Sequence, residues 1–284
     1  MTSLNREVRF SKEGMKAMEG MEGMEGMEGM IRDNSMRLEE FFIENPKVAI
    51  AFSGGVDSAY LLYLAKKFAT EVRAYYVKSE FQPRFELEDA RRLATELSVE
   101  MHVIEVDVLA DENVRANPPN RCYYCKRRIF NAIREQALND GFEVLLDGTN
   151  ASDEVSDRPG MVALQELAVL SPLRLCGLTK SEIRRLSREA GLFTWDKPAY
   201  ACLATRIPFG QPLEPRLLKR TECAEGFLFS LGFRDFRVRT LGENAKIQLP
   251  ASQLPLLMEH REEIVRELKK AYCAVLLDLE TRNE

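Results

Sequence analysis

The sequence predicts an α/β protein, a doubly wound parallel sheet followed by a small C-terminal α+β domain. Three observations carry this prediction. From Pro46 onward, short β-rich runs alternate with amphipathic stretches of helical length, the pattern of βαβ units whose parallel sheet is covered on both faces. The glycine pair Gly54 and Gly55 stands between the first apolar run and the first helical stretch. Pro198, Pro208, Pro212 and Pro215, with Gly210, break the periodicity between residues 194 and 215, which places a domain junction there. The chain is thereby divided into an extension (1–36), an α/β domain (37–205) and a small α+β domain (206–284).

Taken in order, KVAIAF (Lys47 to Phe52) reads as a strand, Asp57 to Phe68 as a helix and VRAYYV (Val72 to Val77) as a second strand. Phe85 to Leu97 is helical, MHVIEV (Met101 to Val106) extended, Arg121 to Leu138 helical and EVLLDG (Glu143 to Gly148) extended. A ligand site in such a sheet belongs at the carboxyl ends of the strands. Thr179 and Glu182 form a capping box. Ile183, Leu186 and Ala190 line one face of the helix they open, and Gly191 supplies its left-handed end. Beyond the junction come a helix (Leu217 to Leu231), strands at Phe236 to Leu241 and Ala245 to Leu249, a helix (Gln253 to Lys270) and a strand (Tyr272 to Leu277).

With 284 residues, 45% of them hydrophobic, the chain can bury a sizeable core. A net charge of −5 provides no overall basic field for nucleic acid, so the expected partner is a small molecule. No run of about 18 apolar residues can span a bilayer, and the start lacks the apolar core of a signal peptide, so the expected location is the cytoplasm. In that compartment six cysteines suggest thiols, metal ligands or catalytic groups rather than disulfides. Residues 18–29 repeat Met-Glu-Gly with a period that fits neither helix nor strand, which reads as a flexible extension outside the folded enzyme.

The strongest motif is SGGVDS, Ser53, Gly54, Gly55, Val56, Asp57 and Ser58. Two glycines let successive N–H groups face one anion, and the following helix start adds partial positive charge. Ser53 and Ser58 can donate hydroxyl hydrogen bonds, and Asp57 can orient Mg2+. The loop is neither a Walker A motif nor a dinucleotide fingerprint. It resembles the signature of the PP-loop ATP pyrophosphatases. That resemblance implies a HUP-like fold, cleavage of ATP between its α and β phosphates, adenylation of a substrate oxygen, and adenine held near Val77 and Ser79.

Further segments, NPPNRCYYCKRRIF (117–130), DGTNASDEVSDRPG (147–160), SPLRLCGLTKSEIRRLSREAGL (171–192), WDKPAYACLATRIPFG (195–210) and FRVR (236–239), are similar to LarE, an ATP-dependent sulfur transferase. The similarity runs from about Arg37 to the C-terminus. It implies a pyridinium dicarboxylate mononucleotide as substrate, whose adenylated carboxylates become thiocarboxylates for the nickel-pincer cofactor of lactate racemase. It also implies a homo-oligomer working beside other cofactor-biosynthesis proteins.

An acyl-adenylate carries a good leaving group, and a thiolate stabilised by cations is a suitable sulfur nucleophile. Cys202 has Lys197 and Arg206 close in sequence; the resemblance makes it the sulfur donor or a cluster ligand, while the residue type alone also suits a buried apolar position. Cys122 and Cys125 share one face at a helix start. With Cys202 they give the three-cysteine pattern that the resemblance associates with a [4Fe-4S] cluster, favoured over one-time donation by Cys202. Cys176, Cys223 and Cys273 sit in apolar contexts and are assigned to packing.

Asp153 and Arg158, after the fourth strand, can contact metal or phosphate, or serve only in turns. Arg237 and Arg239 alternate on a strand and so share a face suited to a phosphate fork; resemblance assigns them to the substrate phosphate and Glu225 to a metal. The family pattern is broken where His-Gly-Asp and Arg-Ile-Glu are expected. LGEN and KIQL stand there instead, so that Gln248 replaces a carboxylate, and Ala271 stands where glycine is common. These departures count against metal binding by the small domain. The competing readings are an amide-forming synthetase or tRNA thiolase with the same loop, and a nucleotide-binding protein without turnover.

Overall fold

The structure is a computed structural model and describes residues 37–153 and 159–282. The Met-Glu-Gly repeat and Arg158 lie outside the described residues. Helix α1 (37–44) buries Leu38 and Phe42, one turn apart, in the core of the first sheet. That sheet comprises β1 (Lys47–Ala51), β2 (Glu71–Lys78), β3 (Met101–Glu105) and β4 (Val144–Leu146), all parallel in the order β3-β2-β1-β4. Crossovers run through α2 (Val56–Phe68), α3 (Arg84–Glu96), and the pair α4 (Glu112–Arg115) and α5 (Arg121–Asn139). Apolar clusters lie on both faces of the sheet. Val48 and Ile50 face the α2 side, whereas Ala49, Tyr75 and Leu145 pack under α5, as a doubly covered parallel sheet requires.

After β4 come the short helices α6 (Pro159–Glu166) and α7 (Pro172–Leu175), which the sequence pattern does not signal, and then α8 (Lys180–Glu189). The expected capping box is present: the Thr179 N–H donates to Glu182 Oε2 at 2.8 Å and the Glu182 N–H to Thr179 Oγ1 at 3.4 Å. Gly191 closes the turn at φ +72°.

The C-terminal unit has α9 (Pro215–Ser230) over a sheet in the order β5-β6-β7. Strands β5 (Arg237–Leu241) and β6 (Asn244–Gln248) are antiparallel, and β7 (Val275–Leu277) runs parallel to β6. The expected helix at 253–270 is broken into α10 (Leu254–Glu259) and α11 (Arg261–Leu268). His260, at φ −95° and ψ 10°, ends one and caps the next. Strand β7 begins later than expected because Tyr272 turns into the core, where its hydroxyl lies 3.3 Å from Thr221 Oγ1.

The proline-rich segment is no free linker. Leu203, Ala204, Ile207 and Leu213 from it join Leu217 and Leu218 of α9 in one apolar cluster with Phe81, Val108 and Val114 of the first unit. Among the described residues, no helix is long and apolar enough to cross a membrane.

Candidate active site

Residues Ser53 to Ser58 leave β1 and enter α2 at the carboxyl edge of the sheet. Gly54 adopts φ +73°, and a Cβ there would stand 3.3 Å from Glu86 O and from Ala90 Cβ, so only glycine makes this bend against α3. The Ser53 and Ser58 hydroxyls lie 3.0 Å apart, and Ser58 Oγ donates to Gly55 O at 3.2 Å, which ties the loop around the start of α2. Gly148, just after β4, approaches so closely that a Cβ would sit 2.8 Å from the Ser58 nitrogen. The loop is therefore held from two sides by backbone.

Asp57 faces Lys180, the first residue of α8, at 2.5 Å. Burial raises the Asp57 carboxyl, the Lys180 ammonium opposes that rise, and Asp57 Oδ1 is buried with no hydrogen-bond partner among the described residues. Lys180 was not singled out from the sequence, although its place beside a capped helix start opposite the strand ends is a usable signal. Asp147, at the end of β4, accepts hydroxyl hydrogen bonds from Thr149 and Ser171, both at 2.5 Å. Asp153 accepts the Asn150 N–H at 3.0 Å.

A cavity of about 520 Å³ joins these groups. Ser53, Gly55, Asp57 and Ser58 line one wall, Asp147, Thr149 and Asp153 a second, and Cys122 and Lys126 of α5 a third. The nucleotide loop and a cysteine of the C-x-x-C thus open into the same space. Val77 and Ser79 lie outside that lining; Val77 is buried, and the Ser79 hydroxyl donates to Gln82 Oε1 at 2.7 Å.

Cys122 is exposed in the first turn of α5, with Cys125 half-buried one turn on and Cys202 half-buried beside the 3-10 turn Leu203–Arg206. Cys122 lies close enough to Cys125 and Cys202 to disfavour the ionisation of both. Cys125 is pushed up to about 12, mainly by burial, with Cys202 and Cys122 adding to it and Arg121 and Lys126 opposing. Burial likewise raises Cys202. This corrects the expectation that Lys197 and Arg206 hold Cys202 as a thiolate. Lys197 pairs instead with Asp89 at 2.7 Å, and the Arg206 charge is matched by Glu225. The strongest cationic influence on Cys202 is Arg121, ahead of Arg206; Arg121 is fully buried and bonded to Asn117 Oδ1 at 2.5 Å and Ala204 O at 3.1 Å. Among the described residues, no group of three or more His, Cys, Asp or Glu side chains is arranged to hold a single metal ion. The packing assignment holds for buried Cys176 but not for Cys223 and Cys273, which are exposed because their helix and loop present those positions to solvent.

Three arginines converge on the segment that carries Cys202. Arg206 Nη1 donates to Ala201 O at 2.7 Å, Arg237 Nη2 to Ala199 O at 2.5 Å, and Arg239 Nη1 to Thr205 O at 2.8 Å. Arg237 and Arg239 do share a face of β5, and both forks are engaged with loop carbonyls. Burial and the like charges of Arg206 and Arg282 lower Arg237 to about 10. Glu225 is also fully engaged, with Arg206 Nε at 2.8 Å, the Val238 N–H at 2.8 Å and the Tyr200 hydroxyl. Gln248 accepts from Arg239 and donates to Asp278 Oδ2 at 2.6 Å, so the carboxylate absent at 248 is supplied one hydrogen bond further out.

Comparison with known proteins agrees with this geometry. The profile of the family "Queuosine biosynthesis protein QueC" matches residues 47–116, the strand, loop and helices that build the nucleotide side. A tRNA-specific 2-thiouridylase MnmA from Thermotoga petrophila is 32% identical over 188 residues, 51% of this chain and 52% of its own. An uncharacterized Synechocystis protein, slr1717, is 34% identical over 88% of this chain and 95% of its own. The pyridinium-3,5-bisthiocarboxylic acid mononucleotide synthase of Lactiplantibacillus plantarum is 32% identical over 236 residues, 82% of this chain and 86% of its own. Loop, three-cysteine pattern and near full-length similarity together place the chain in the LarE family, ATP-dependent sulfur transferases of the PP-loop ATP pyrophosphatase type.

Proposed function

We propose that the protein adenylates a carboxylate of a pyridinium dicarboxylate mononucleotide and exchanges one carboxylate oxygen for sulfur. The observation that carries this reading is the single cavity shared by the Ser53 to Ser58 loop and Cys122. The loop N–H groups and the start of α2 bind the β and γ phosphates. Asp57, with one oxygen that has no partner among the described residues, and Asp153 are the carboxylates suited to Mg2+, which offsets phosphate charge. A carboxylate oxygen attacks the α phosphorus, the bond to the bridging oxygen breaks, and pyrophosphate leaves. A sulfur nucleophile then attacks the acyl carbon, a C–S bond forms, and AMP departs with the C–O electron pair.

Sulfur enters from the side of Cys122, Cys125 and Cys202. Three neighbouring thiols, Cys122 exposed and Cys125 and Cys202 half-buried, are a donor set that suits a [4Fe-4S] cluster held by three thiolates. Such a cluster supplies sulfide without removing it from the chain. Without it, Cys202 Sγ bonds to the acyl carbon as AMP leaves; loss of the Cys202 α proton to a base then breaks the Cβ–Sγ bond, whose electron pair stays on the thiocarboxylate, and dehydroalanine remains in the chain. Arg237 and Arg239 fix the loop around Cys202, and they reach the substrate phosphate only by exchanging the carbonyls of Ala199 and Thr205 for phosphate oxygens. The division at residues 205 and 206, self-association and exchange with other cofactor-biosynthesis proteins belong to the same reading.

Pyrophosphate release tests it. Release from ATP on adding the pyridinium dicarboxylate mononucleotide is expected; release that requires tRNA or ammonia instead overturns the reading in favour of a thiolase or an amide-forming synthetase. Iron and sulfide analysis after anaerobic purification, with intact mass after turnover, separates the sulfur sources: an unchanged polypeptide marks the cluster, a loss of about 34 Da the sacrificed cysteine.

A further inference from the structure

We infer that Lys126 is a catalytic residue: its ammonium group holds the acyl oxygen of the substrate between the nucleotide loop and the sulfur-bearing cysteines. Lys126 lies one helical turn after Cys122, so both side chains leave the same face of α5, and both line the cavity of the Ser53 to Ser58 loop. Its stem is placed by a gap in the opposite wall. Gly160, in the first turn of α6, has no side chain, and a Cβ there would stand 2.9 Å from Lys126 Cδ and 3.1 Å from Cε. Glycine at 160 thus leaves the space in which the aliphatic stem crosses α6, and any side chain there would push the stem aside.

The other lysines at this edge are committed. Lys180 pairs with Asp57 at 2.5 Å and Lys197 with Asp89 at 2.7 Å. Lys126 has no ion pair or hydrogen bond to any described residue, and its charge is felt by the Cys125 thiol. A part-buried ammonium group with no partner among the described residues, beside a cavity that also holds the nucleotide loop, is suited to an anion that arrives with the ligand. The phosphates already have the loop N–H groups, two serine hydroxyls and the start of α2. The anion that must lie between phosphate and sulfur is the carboxylate itself, and then the oxyanion formed as sulfur adds to the acyl carbon. Lys126 stabilises that oxyanion by charge and donates no electrons, so the bonds made and broken are those of the transfer already described.

This inference rests on the proposed adenylation, and binding of two ligands tests each separately. The probes are ATP with Mg2+ and a nonhydrolysable acyl-adenylate, 5′-O-(N-nicotinoylsulfamoyl)adenosine, measured calorimetrically on wild type, Lys126→Met and Gly160→Ala. Lys126→Met is expected to weaken the acyl-adenylate about tenfold or more while ATP affinity changes less than about twofold. Gly160→Ala keeps the lysine and favours the helix but displaces the stem, so a loss of the same kind and smaller size is expected. In turnover, Lys126→Met lowers the rate of thiocarboxylate formation more than it raises KM for ATP, and Lys126→Arg recovers part of the loss. Equal weakening of both ligands, or no weakening of the acyl-adenylate, overturns the role of Lys126 and leaves adenylation intact. Wild type binding the acyl-adenylate no better than AMP overturns both.

Discussion

Arg206 and Glu225 meet in a two-point pair, Nε to Oε1 at 2.8 Å and Nη2 to Oε2 at 3.1 Å, with both side chains essentially excluded from solvent. This pair ties the turn after Cys202 to α9, and so couples the cysteine's position to the C-terminal unit. Removing one partner leaves a buried charge unmatched. Arg206→Met is expected to destabilise the protein by about 3–5 kcal/mol, whereas Tyr200→Phe, which removes one neutral donor to Glu225, is expected to cost about 1 kcal/mol. Urea unfolding followed by far-UV circular dichroism measures both.

The close approach of Gly148 to Ser58 makes the loop sensitive to a single methyl group. In Gly148→Ala the new Cβ meets Ser58 backbone at 2.8 Å and 3.0 Å, and backbone cannot move aside as a side-chain tip can. An ATP affinity reduced tenfold or more, with stability lowered by about 1–3 kcal/mol, is the expected result. Calorimetric titration with ATP and Mg2+ reads the first and thermal melting the second.

Glu86 on α3 lies among Lys197, Asp89, Arg206 and Arg237, and burial raises its carboxyl to about 7. The folded state therefore holds a proton that the unfolded chain has already lost. The sign follows directly: stability falls as pH rises from the ordinary carboxylate value of 4.5 to about 7, then levels off. Glu86→Gln removes this decline. The melting temperatures of variant and wild type should lie close together at pH 4.5 and separate in favour of the variant by pH 8; parallel profiles would contradict the assignment.

Thiol accessibility orders the cysteines. Cys122, Cys223 and Cys273 are exposed, while burial raises Cys125, Cys176 and Cys202. Iodoacetamide at pH 7.5 should label the first three before the second three in reduced, iron-free protein, as read by peptide mass spectrometry. Early labelling of Cys202 would mean that its thiolate is formed more readily than this geometry allows.

The α/β class, the succession of strands and helices along the first sheet, the nucleotide loop and the capping box of α8 were legible in the sequence because each depends on local periodicity or local turn chemistry. What was not legible depends on distant contacts. Lys180, Lys126 and Arg121 carry no motif of their own; their roles come from elements that the parallel crossovers bring to one edge. The expected activation of Cys202 was met only in part: Arg206, though paired with Glu225 on α9, still lowers the thiol but is outweighed by burial, and Lys197 pairs with Asp89 on α3. Cys223 and Cys273 were misread because an apolar neighbourhood in sequence does not say which way one residue of a helix or loop points. The break at His260 was hidden because the apolar pattern of α10 and α11 continues across it.

The central claim is that activation by ATP and delivery of sulfur are separate steps served from one cavity. Cys202→Ala separates them. Pyrophosphate release and thiocarboxylate formation are followed together in one anaerobic reaction with ATP, Mg2+ and the pyridinium dicarboxylate mononucleotide. The account predicts that pyrophosphate is still released, at least in a first turnover, and that no thiocarboxylate forms. Thiocarboxylate formed at the wild-type rate by Cys202→Ala would contradict it.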